Sequence, residues 1–243
     1  MNKAEFFDIY AHTVFPASFR VIGIGETTAE IIEAVKSYGY DCVDGSVVNS
    51  PIECVPTDED KMLIIVARDN EEVANAIAKT FHDAGVLTLA LFDNADLECY
   101  DSVDSEASYP EYNAIIDAIL RPIVTQGLLC YDFNDLRTTL GDSKHFLVVS
   151  ATRGGNARVA EAIDLIKSML SSRLDSIERI SLFLYFNRDG KRPLVIQETA
   201  SLNELLKDLP ESIDVIWAVY PEKNLKDDEI KVSIIAAGKE LDR

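Results

Sequence analysis

Apolar residues in the first half of the chain fall into short continuous runs separated by segments with helical spacing. Residues 27–38 and 73–81 carry apolar side chains at every third or fourth position, which predicts two amphipathic helices. The run MLIIVA at 62–67 is typical of a strand buried on both faces. The predicted strands are 20–25, 41–48, 62–67 and 86–92. Their alternation with helices predicts a parallel, doubly wound sheet with right-handed crossovers.

The second half repeats the alternation after an acidic, loop-like stretch at 94–110. A helix is predicted at 111–126, and Pro122 should kink or shorten it. The later predicted elements are strands at 145–151, 180–186, 213–220 and 230–238, and helices at 154–172 and 201–209. A short polar connection separates the last two strands, so they are predicted to pair antiparallel. The second half is therefore predicted to hold a mixed sheet.

These patterns divide the chain into three parts. Residues 1–18 are predicted to form an N-terminal arm, residues 19–126 a Rossmann-like domain that includes the central helix, and residues 127–243 a mixed-sheet α/β domain. The fold class is α/β throughout.

Net charge narrows the classes of partner. The chain has 23 Lys and Arg against 42 Asp and Glu, a net charge of −19. An acidic surface disfavours nucleic acid and anionic membranes, so neither is expected as a partner. The four cysteines and three histidines are scattered, without the spacing of a zinc site, and no metal is expected. Reduced cysteines without a signal peptide favour a cytoplasmic protein.

The segment GLLCYDFNDLRTTLGDSKHFLVVS at 127–150 resembles the loop after the central helix in the FtsZ/tubulin family. The FtsZ pattern there is G-x-x-N-x-D-x-x-D. Gly127, Asp132 and Asp135 match it, and Cys130 stands at the Asn position. The following Gly-rich turn, helix, strand and IIAAG ending are also similar. The resemblance covers roughly residues 19–240 and is most specific at 127–150.

This resemblance implies an FtsZ/tubulin-like fold and a possible catalytic pair. In that family the first domain binds GTP, and the loop after the central helix enters the site of the next subunit. Asp132 and Asp135 would then help to position the water that attacks the γ-phosphate. The structural alternative is that Asp132 caps the following segment and that both carboxylates are solvated.

The two phosphate loops of the family are reduced in this sequence. The first keeps Gly23 and Gly25, but Glu26 follows where the family continues with glycines. The second carries the signature GGGTG[ST]G in the family, and Arg68 and Asp69 stand there instead. The residues present at the cofactor position are therefore a vestigial glycine turn and a charged loop.

Acidic residues are predicted at both helix starts that would face phosphate. Asp69 with Glu72, and Thr27 with Glu30, have the spacing of capping boxes. Carboxylates there would repel a nucleotide triphosphate, so normal GTP binding is predicted to be lost, although Mg²⁺ could offset the repulsion. The GxGxxG pattern of dinucleotide sites also lacks its third glycine, at Thr28.

The leading hypothesis is therefore an FtsZ-like protein with a degenerate nucleotide site and no expected cofactor. It would act through self-association, as a homo-oligomer, or by binding another FtsZ-like subunit. The alternative is a divergent GTPase that uses GTP and Mg²⁺ and completes its site on head-to-tail assembly. A third hypothesis is a small-molecule binder that uses the vacated cleft at the carboxyl ends of the first sheet.

Overall fold

The structure, a computed structural model, describes residues 18–68, 70–91, 100–104, 111–129, 131–239 and 241. Within these residues the fold is mixed α/β with nine strands, mostly parallel. The strands are β1 (Phe19–Ile24), β2 (Val43–Val48), β3 (Met62–Ala67), β4 (Leu87–Leu91), β5 (Ser102–Asp104), β6 (Lys144–Arg153), β7 (Arg179–Phe186), β8 (Asp214–Pro221) and β9 (Ile230–Gly238). The α-helices are α1 (Ala29–Ser37), α2 (Glu71–Asp83), α3 (Tyr112–Val124), α4 (Phe133–Leu140), α5 (Arg158–Leu170) and α6 (Ala200–Asp208).

Residue contacts divide the chain into two compact units, Met1–Leu89 and Ala90–Arg243. The boundary expected from the sequence, between residues 126 and 127, lies later in the chain. The predicted arm falls on residues that the structure does not describe, except for Ser18. No helix in the described part of the chain is long and apolar enough to cross a membrane.

The first unit is the parallel sheet that the apolar runs predict. Its strands lie in the order β2-β1-β3-β4, and β1 pairs parallel with both β2 and β3. Every residue of β3 is buried, as its uninterrupted apolar sequence requires. Helix α1 buries Ile31, Ile32 and Val35, the apolar face expected from helical spacing.

The second unit holds a mixed sheet, in the order β5-β6-β9-β7-β8. Strands β5 and β6 are parallel, as are β7 and β8, whereas β9 runs antiparallel to both β6 and β7. The predicted antiparallel pairing of 213–220 with 230–238 is wrong, because β7 lies between these strands. Strand β9 is buried along almost its whole length, which suits a central position, and β8 has exposed residues at both ends, which suits an edge.

Pro122 lies in the last turn of α3 and the helix ends two residues later, at Val124. Thr125, the residue that follows, has extended backbone geometry. The helix therefore continues through Pro122 and ends two residues before the end expected from the sequence.

Candidate functional site

Two loops leave neighbouring strands of the first unit at the same edge. Ile24 at the end of β1 pairs with Ala67 at the end of β3, so Gly25 and Arg68 begin adjacent loops. Gly25 has a φ of 77°, and a Cβ placed on it would lie 3.7 Å from Asn70 Nδ2. The structure therefore brings the glycine turn and the Arg68 loop together, as a phosphate site would require. Asp69 lies outside the described residues.

Gly23 is needed for packing inside the turn. The fully buried Thr28 lies against its Cα, and a Cβ on Gly23 would clash with the Thr28 hydroxyl and lie 2.7 Å from Thr28 Cβ. The hydroxyl donates a hydrogen bond to Gly25 O at 2.7 Å. The space that a glycine can leave for a ligand is thus filled by the protein's own side chain.

Backbone N–H groups of this turn are also used internally. Gly25 N donates to Val48 O at 3.0 Å, and Thr28 N donates to Gly25 O at 3.1 Å. A short 3₁₀ turn (Glu26–Thr28) precedes α1, so Thr28 rather than Thr27 stands before the helix, and its side chain caps no helix N–H. The predicted capping box of Thr27 with Glu30 is therefore wrong, because the 3₁₀ turn displaces the helix start.

The second loop leads directly into α2. Asn70, in the left-handed region with a φ of 63°, precedes Glu71, and its side chain makes no capping hydrogen bond. The predicted cap from Asp69 lies outside the described residues. Glu71 and Glu72 occupy the first turn of α2 and are exposed, as are Glu26 and Arg68.

The residues described at this edge are a poor fit to a triphosphate. A bound triphosphate needs backbone N–H groups aimed at it and a positive local charge. This edge has internally bonded amides at Gly25 and Thr28, and more exposed carboxylates than cations. No group of three or more possible metal-binding side chains occurs in the described part of the chain.

In the second unit, the loop after α3 is anchored first to β8. Leu128 N donates to Val219 O at 2.8 Å. Gly127 packs so closely on the Tyr220 ring that a Cβ would lie 2.8 Å from ring carbon Cε1. The Tyr220 hydroxyl donates to Pro122 O at 2.8 Å, which satisfies a carbonyl at the end of α3. These bonds join the helix end, the loop and the strand.

The same loop is anchored a second time at the start of α4. Tyr131 is buried, its hydroxyl lies 2.7 Å from Ser181 Oγ, and its ring meets Phe183 edge to face at 4.9 Å. Burial of this hydroxyl raises the pKa of Tyr131 far above its usual value, so the group stays neutral. Asp132 follows at the N-cap of α4.

Asp132 and Asp135 form a reciprocal capping box. Asp132 Oδ1 accepts from Asn134 N at 2.7 Å and from Asp135 N at 3.2 Å, while Asp135 Oδ2 accepts from Asp132 N at 2.9 Å. The structural alternative for Asp132 is confirmed: it caps the following helix. Each bond uses one oxygen of its carboxylate, so the other oxygen of each can still orient a water molecule.

Two exposed leucines lie between the anchors. Leu128 is 58% exposed and Leu129 is 41% exposed. The motifs of the sequence did not point to this pair, although two adjacent leucines after a loop glycine are a visible signal. Cys130, at the Asn position of the FtsZ pattern, lies outside the described residues.

A buried arginine fixes another segment of the second unit. The Arg158 side chain is fully buried and forms two hydrogen bonds of 2.9 Å with Glu198. It also donates to Arg192 O at 3.0 Å and to Pro193 O at 3.1 Å. Burial raises the pKa of Glu198, but the hydrogen bonds from Arg158 and Val195 N and the charges of Arg158 and Arg192 together lower it by more, so the pKa is lowered overall. No local sequence signal distinguished Arg158 from a surface arginine on a helix.

Comparison with known proteins finds one similar sequence and several structures with a similar fold. No protein-family model matches the chain. Cell division protein FtsZ of Porphyromonas gingivalis is 26% identical over 127 residues, which span 52% of this chain and 28% of that protein. The match therefore covers less than a third of the relative's length.

Solved structures match over almost the whole chain. An empty FtsZ dimer from M. jannaschii has a TM-score of 0.69 at 13% identity, covering 98% of this chain and 93% of that one. CetZ2 from Haloferax volcanii, in a GTPγS-bound protofilament, has a TM-score of 0.60 at 13% identity and covers 91% and 93%. TubZ from Bacillus thuringiensis, in GDP-form protofilaments, has a TM-score of 0.61 at 10% identity and covers 96% and 88%.

The chain thus has the FtsZ/tubulin fold. Together with the match to a bacterial FtsZ sequence, this makes it a divergent FtsZ/tubulin-like protein.

Proposed function

We propose that this protein is an FtsZ-like subunit that acts in the cytoplasm through contacts with a second copy of itself or with another FtsZ-like subunit. Normal GTP binding and hydrolysis are lost in this proposal. The observation that carries it is the loop at 127–132, which is anchored at both ends and exposes Leu128 and Leu129.

Exposed leucines on an anchored loop suit a contact surface. Two leucines in water represent apolar area whose burial is favourable, and an anchored loop loses little conformational entropy when it binds. By its resemblance to FtsZ, this loop is the element that reaches the next subunit. The similar M. jannaschii FtsZ is described as a dimer, and the similar CetZ2 and TubZ as protofilaments.

The first unit supports the loss of nucleotide binding. Thr28 fills the space beside Gly23, and the amides of Gly25 and Thr28 bond within the protein. Exposed Glu71 and Glu72 occupy the helix start beside this turn. A nucleotide would need to displace these bonds and approach like charges, both of which oppose binding.

Sedimentation velocity over a series of protein concentrations tests the contact role. The wild-type chain is expected to self-associate, and Leu128→Ser with Leu129→Ser to shift the equilibrium strongly towards the smaller species. Met169→Ser, at another exposed apolar side chain, is the matched control and should associate like wild type. A double variant that associates as tightly as wild type would overturn the role of this loop.

Thermal unfolding tests the nucleotide part of the proposal separately. GTP at about 1 mM with Mg²⁺ is expected to leave the melting temperature unchanged, because a bound ligand would stabilise the folded state. A rise of several degrees would show that nucleotide still binds.

A divergent GTPase is the second candidate, favoured by the uncommitted oxygens of Asp132 and Asp135. In that case GTP hydrolysis would rise steeply with protein concentration, because the site is completed between subunits. Asp132→Asn and Asp135→Asn would then abolish hydrolysis. Absence of phosphate release at high protein concentration excludes this candidate.

A further inference from the structure

Two Asp-Gly dipeptides occur in the chain, one at Asp44 and Gly45 and the other at Asp189 and Gly190. In both, the aspartate is exposed and the glycine is half-buried, and within the described residues neither carboxylate has a hydrogen bond or ion pair. The peptide nitrogen of the residue after an aspartate can attack the side-chain carboxyl, and glycine hinders this attack least because it has no Cβ. The two dipeptides therefore have the same chemistry, and the backbone around each decides whether the attack occurs.

Asp44 lies inside β2, where the main chain cannot rotate freely. The parallel ladder with β1 pairs Asp44 with Arg20 and continues on both sides of that pair. The nitrogen of Gly45 can meet the carboxyl group only if the bond between Cα and the carbonyl carbon of Asp44 leaves its extended geometry. This rotation opens the ladder, and such local opening costs free energy. The strand thus protects the first dipeptide.

Asp189 lies in the turn after β7, where fewer bonds restrict the main chain. Asn187 Oδ1 accepts from Asp189 N at 3.0 Å, a bond that precedes the reactive peptide. Gly190 N donates to Asn187 O at 3.4 Å, which is longer than the usual N–H···O bond. The peptide between Asp189 and Gly190 is therefore held weakly and can rotate towards the carboxyl group.

Packing explains why a glycine follows Asp189. A Cβ at Gly190 would lie 2.8 Å from Asp227 O and 3.0 Å from Asp227 Cα, so a larger residue would force the backbone to shift. Arg192 N also donates to Asp227 O at 3.3 Å, so this side of the turn lies directly against the main chain at Asp227. The reactive dipeptide is thus a consequence of how closely the turn packs.

We propose that Asp189 is a site of isoaspartate formation in the folded protein. The nitrogen of Gly190 forms a bond to Cγ of Asp189, and the hydroxyl of the carboxyl group leaves with the amide proton as water, which closes a succinimide ring. A water molecule then opens the ring. Cleavage of the nitrogen bond to Cγ restores aspartate. Cleavage of the nitrogen bond to the main-chain carbonyl carbon leaves the chain running through Cβ and Cγ, as isoaspartate.

Isoaspartate lengthens the main chain by one carbon beside a close contact. The extra atom lies next to Gly190, whose packing on Asp227 leaves no spare room. Two bonds depend on the same short turn: the one from Arg192 N to Asp227 O, and the one from Arg192 Nη1 to Gly155 O at 2.7 Å. The modified turn moves away from Asp227, and these bonds weaken.

Prolonged incubation of the folded chain at neutral pH tests the site. Isoaspartate is detected by peptide mapping with electron-transfer fragmentation, and by methylation with an isoaspartyl methyltransferase and labelled S-adenosylmethionine. It is expected to form at Asp189 at least about tenfold faster than at Asp44, because the strand must first open locally. In urea, where β2 is unfolded, the two rates should become similar. Equal rates in the folded chain, or no isoaspartate at Asp189, would overturn the proposal.

Asp189→Glu is the control variant, because it keeps the charge but would need a slower closure to a six-membered ring. Isoaspartate should disappear from this peptide, and a signal that persists there would contradict the assignment. Amide hydrogen exchange of the separated isoaspartate form measures the effect on the turn. Arg192 N should exchange at least about fivefold faster than in unmodified protein, whereas Gly25 N in the first unit should be unchanged. Unchanged exchange at Arg192 would overturn the loosening of the turn.

Discussion

The turn after β1 and the loop after α3 are both held by internal hydrogen bonds, yet they present opposite chemistry to solvent. The first turn buries Thr28 and exposes Glu26. The second buries Tyr131 and exposes Leu128 and Leu129. An acidic turn disfavours anions, and an apolar loop favours contact with another protein.

In both loops, buried contacts lie next to exposed residues. The same arrangement recurs where buried Arg158 fixes the segment before α6, whose Val195 and Ile196 are 47% and 85% exposed. The second unit thus holds two anchored, exposed apolar segments, in contrast to the charged edge of the first unit. The following substitutions test the contacts that hold the segment before α6, the turn after β1 and the loop after α3.

The largest effect is expected from Glu198→Gln. It leaves the buried Arg158 without a counter-charge, which should lower the free energy of unfolding by about 3 kcal/mol. Asp208→Asn, in the exposed pair with Lys167, is the control and should cost less than about 1 kcal/mol. Urea unfolding at neutral pH measures both, and equal losses would contradict the anchoring role of Arg158.

The pH dependence of unfolding follows from the same pair. The folded-state pKa of Glu198 is lowered, so its stabilising contribution is present above its unfolded pKa and is lost as pH falls through the folded value. Glu198→Gln should therefore flatten the acid side of the stability profile. An unchanged slope would mean that other carboxylates account for the loss of stability in acid.

A smaller loss is expected from Gly23→Ala in the first unit. The added methyl group meets the buried Thr28 side chain and should cost about 2 kcal/mol. Gly39→Ala, at a φ of 67° with open space around it, adds only backbone strain of about 1 kcal/mol. If chemical denaturation shows that Gly23→Ala and Gly39→Ala lose the same free energy of unfolding, then the Thr28 side chain is not the reason for a glycine at position 23.

Asp132→Ala should cost about 1 kcal/mol, because α4 loses its N-cap. Asn134→Ala, in the same helical turn, is expected to remain within about 0.5 kcal/mol of wild type. A melting temperature unaffected by Asp132→Ala would show that the capping box contributes nothing measurable.

Thr27→Ala should have the smallest effect, less than about 0.5 kcal/mol, because exposed Thr27 caps no helix. Denaturation measures the free energy of unfolding of both variants. Thr27 has only the sequence spacing of a cap, whereas Asp132 makes the capping hydrogen bonds, so only Asp132→Ala should lose stability clearly. A loss near 1 kcal/mol for Thr27→Ala would restore the cap expected from the sequence.

Local patterns predicted most strands and helices, because burial on both faces leaves an uninterrupted apolar run such as residues 62–67. They missed α4, and they missed β5, which lies in the stretch at 94–110 that was expected to be a loop. They did not predict which strands pair, since pairing of β9 with β6 and β7 depends on distant residues. The predicted cap at Thr27 was wrong for a local reason. A 3₁₀ turn at Glu26–Thr28 moves the start of α1 to Ala29, and residue spacing alone does not reveal such a turn.

In the candidate site, the glycines and aspartates that match the FtsZ pattern could be located from the sequence, but the contacts they make could not be predicted. Gly23 leaves room for the Thr28 side chain, and Asp132 caps the helix that follows it. Arg158 gave no local signal because the carbonyls it binds belong to residues more than thirty positions away. Such roles depend on tertiary packing.

The central position of β9 has a consequence for synthesis of the chain. Strands β6, β7 and β8 leave the ribosome before β9, yet β9 lies between β6 and β7. Until it arrives, those two strands expose apolar faces and unpaired main-chain edges, which are prone to associate with other chains. Pairing of distant segments is also slow. Completion of the second unit therefore waits for residues 230–238.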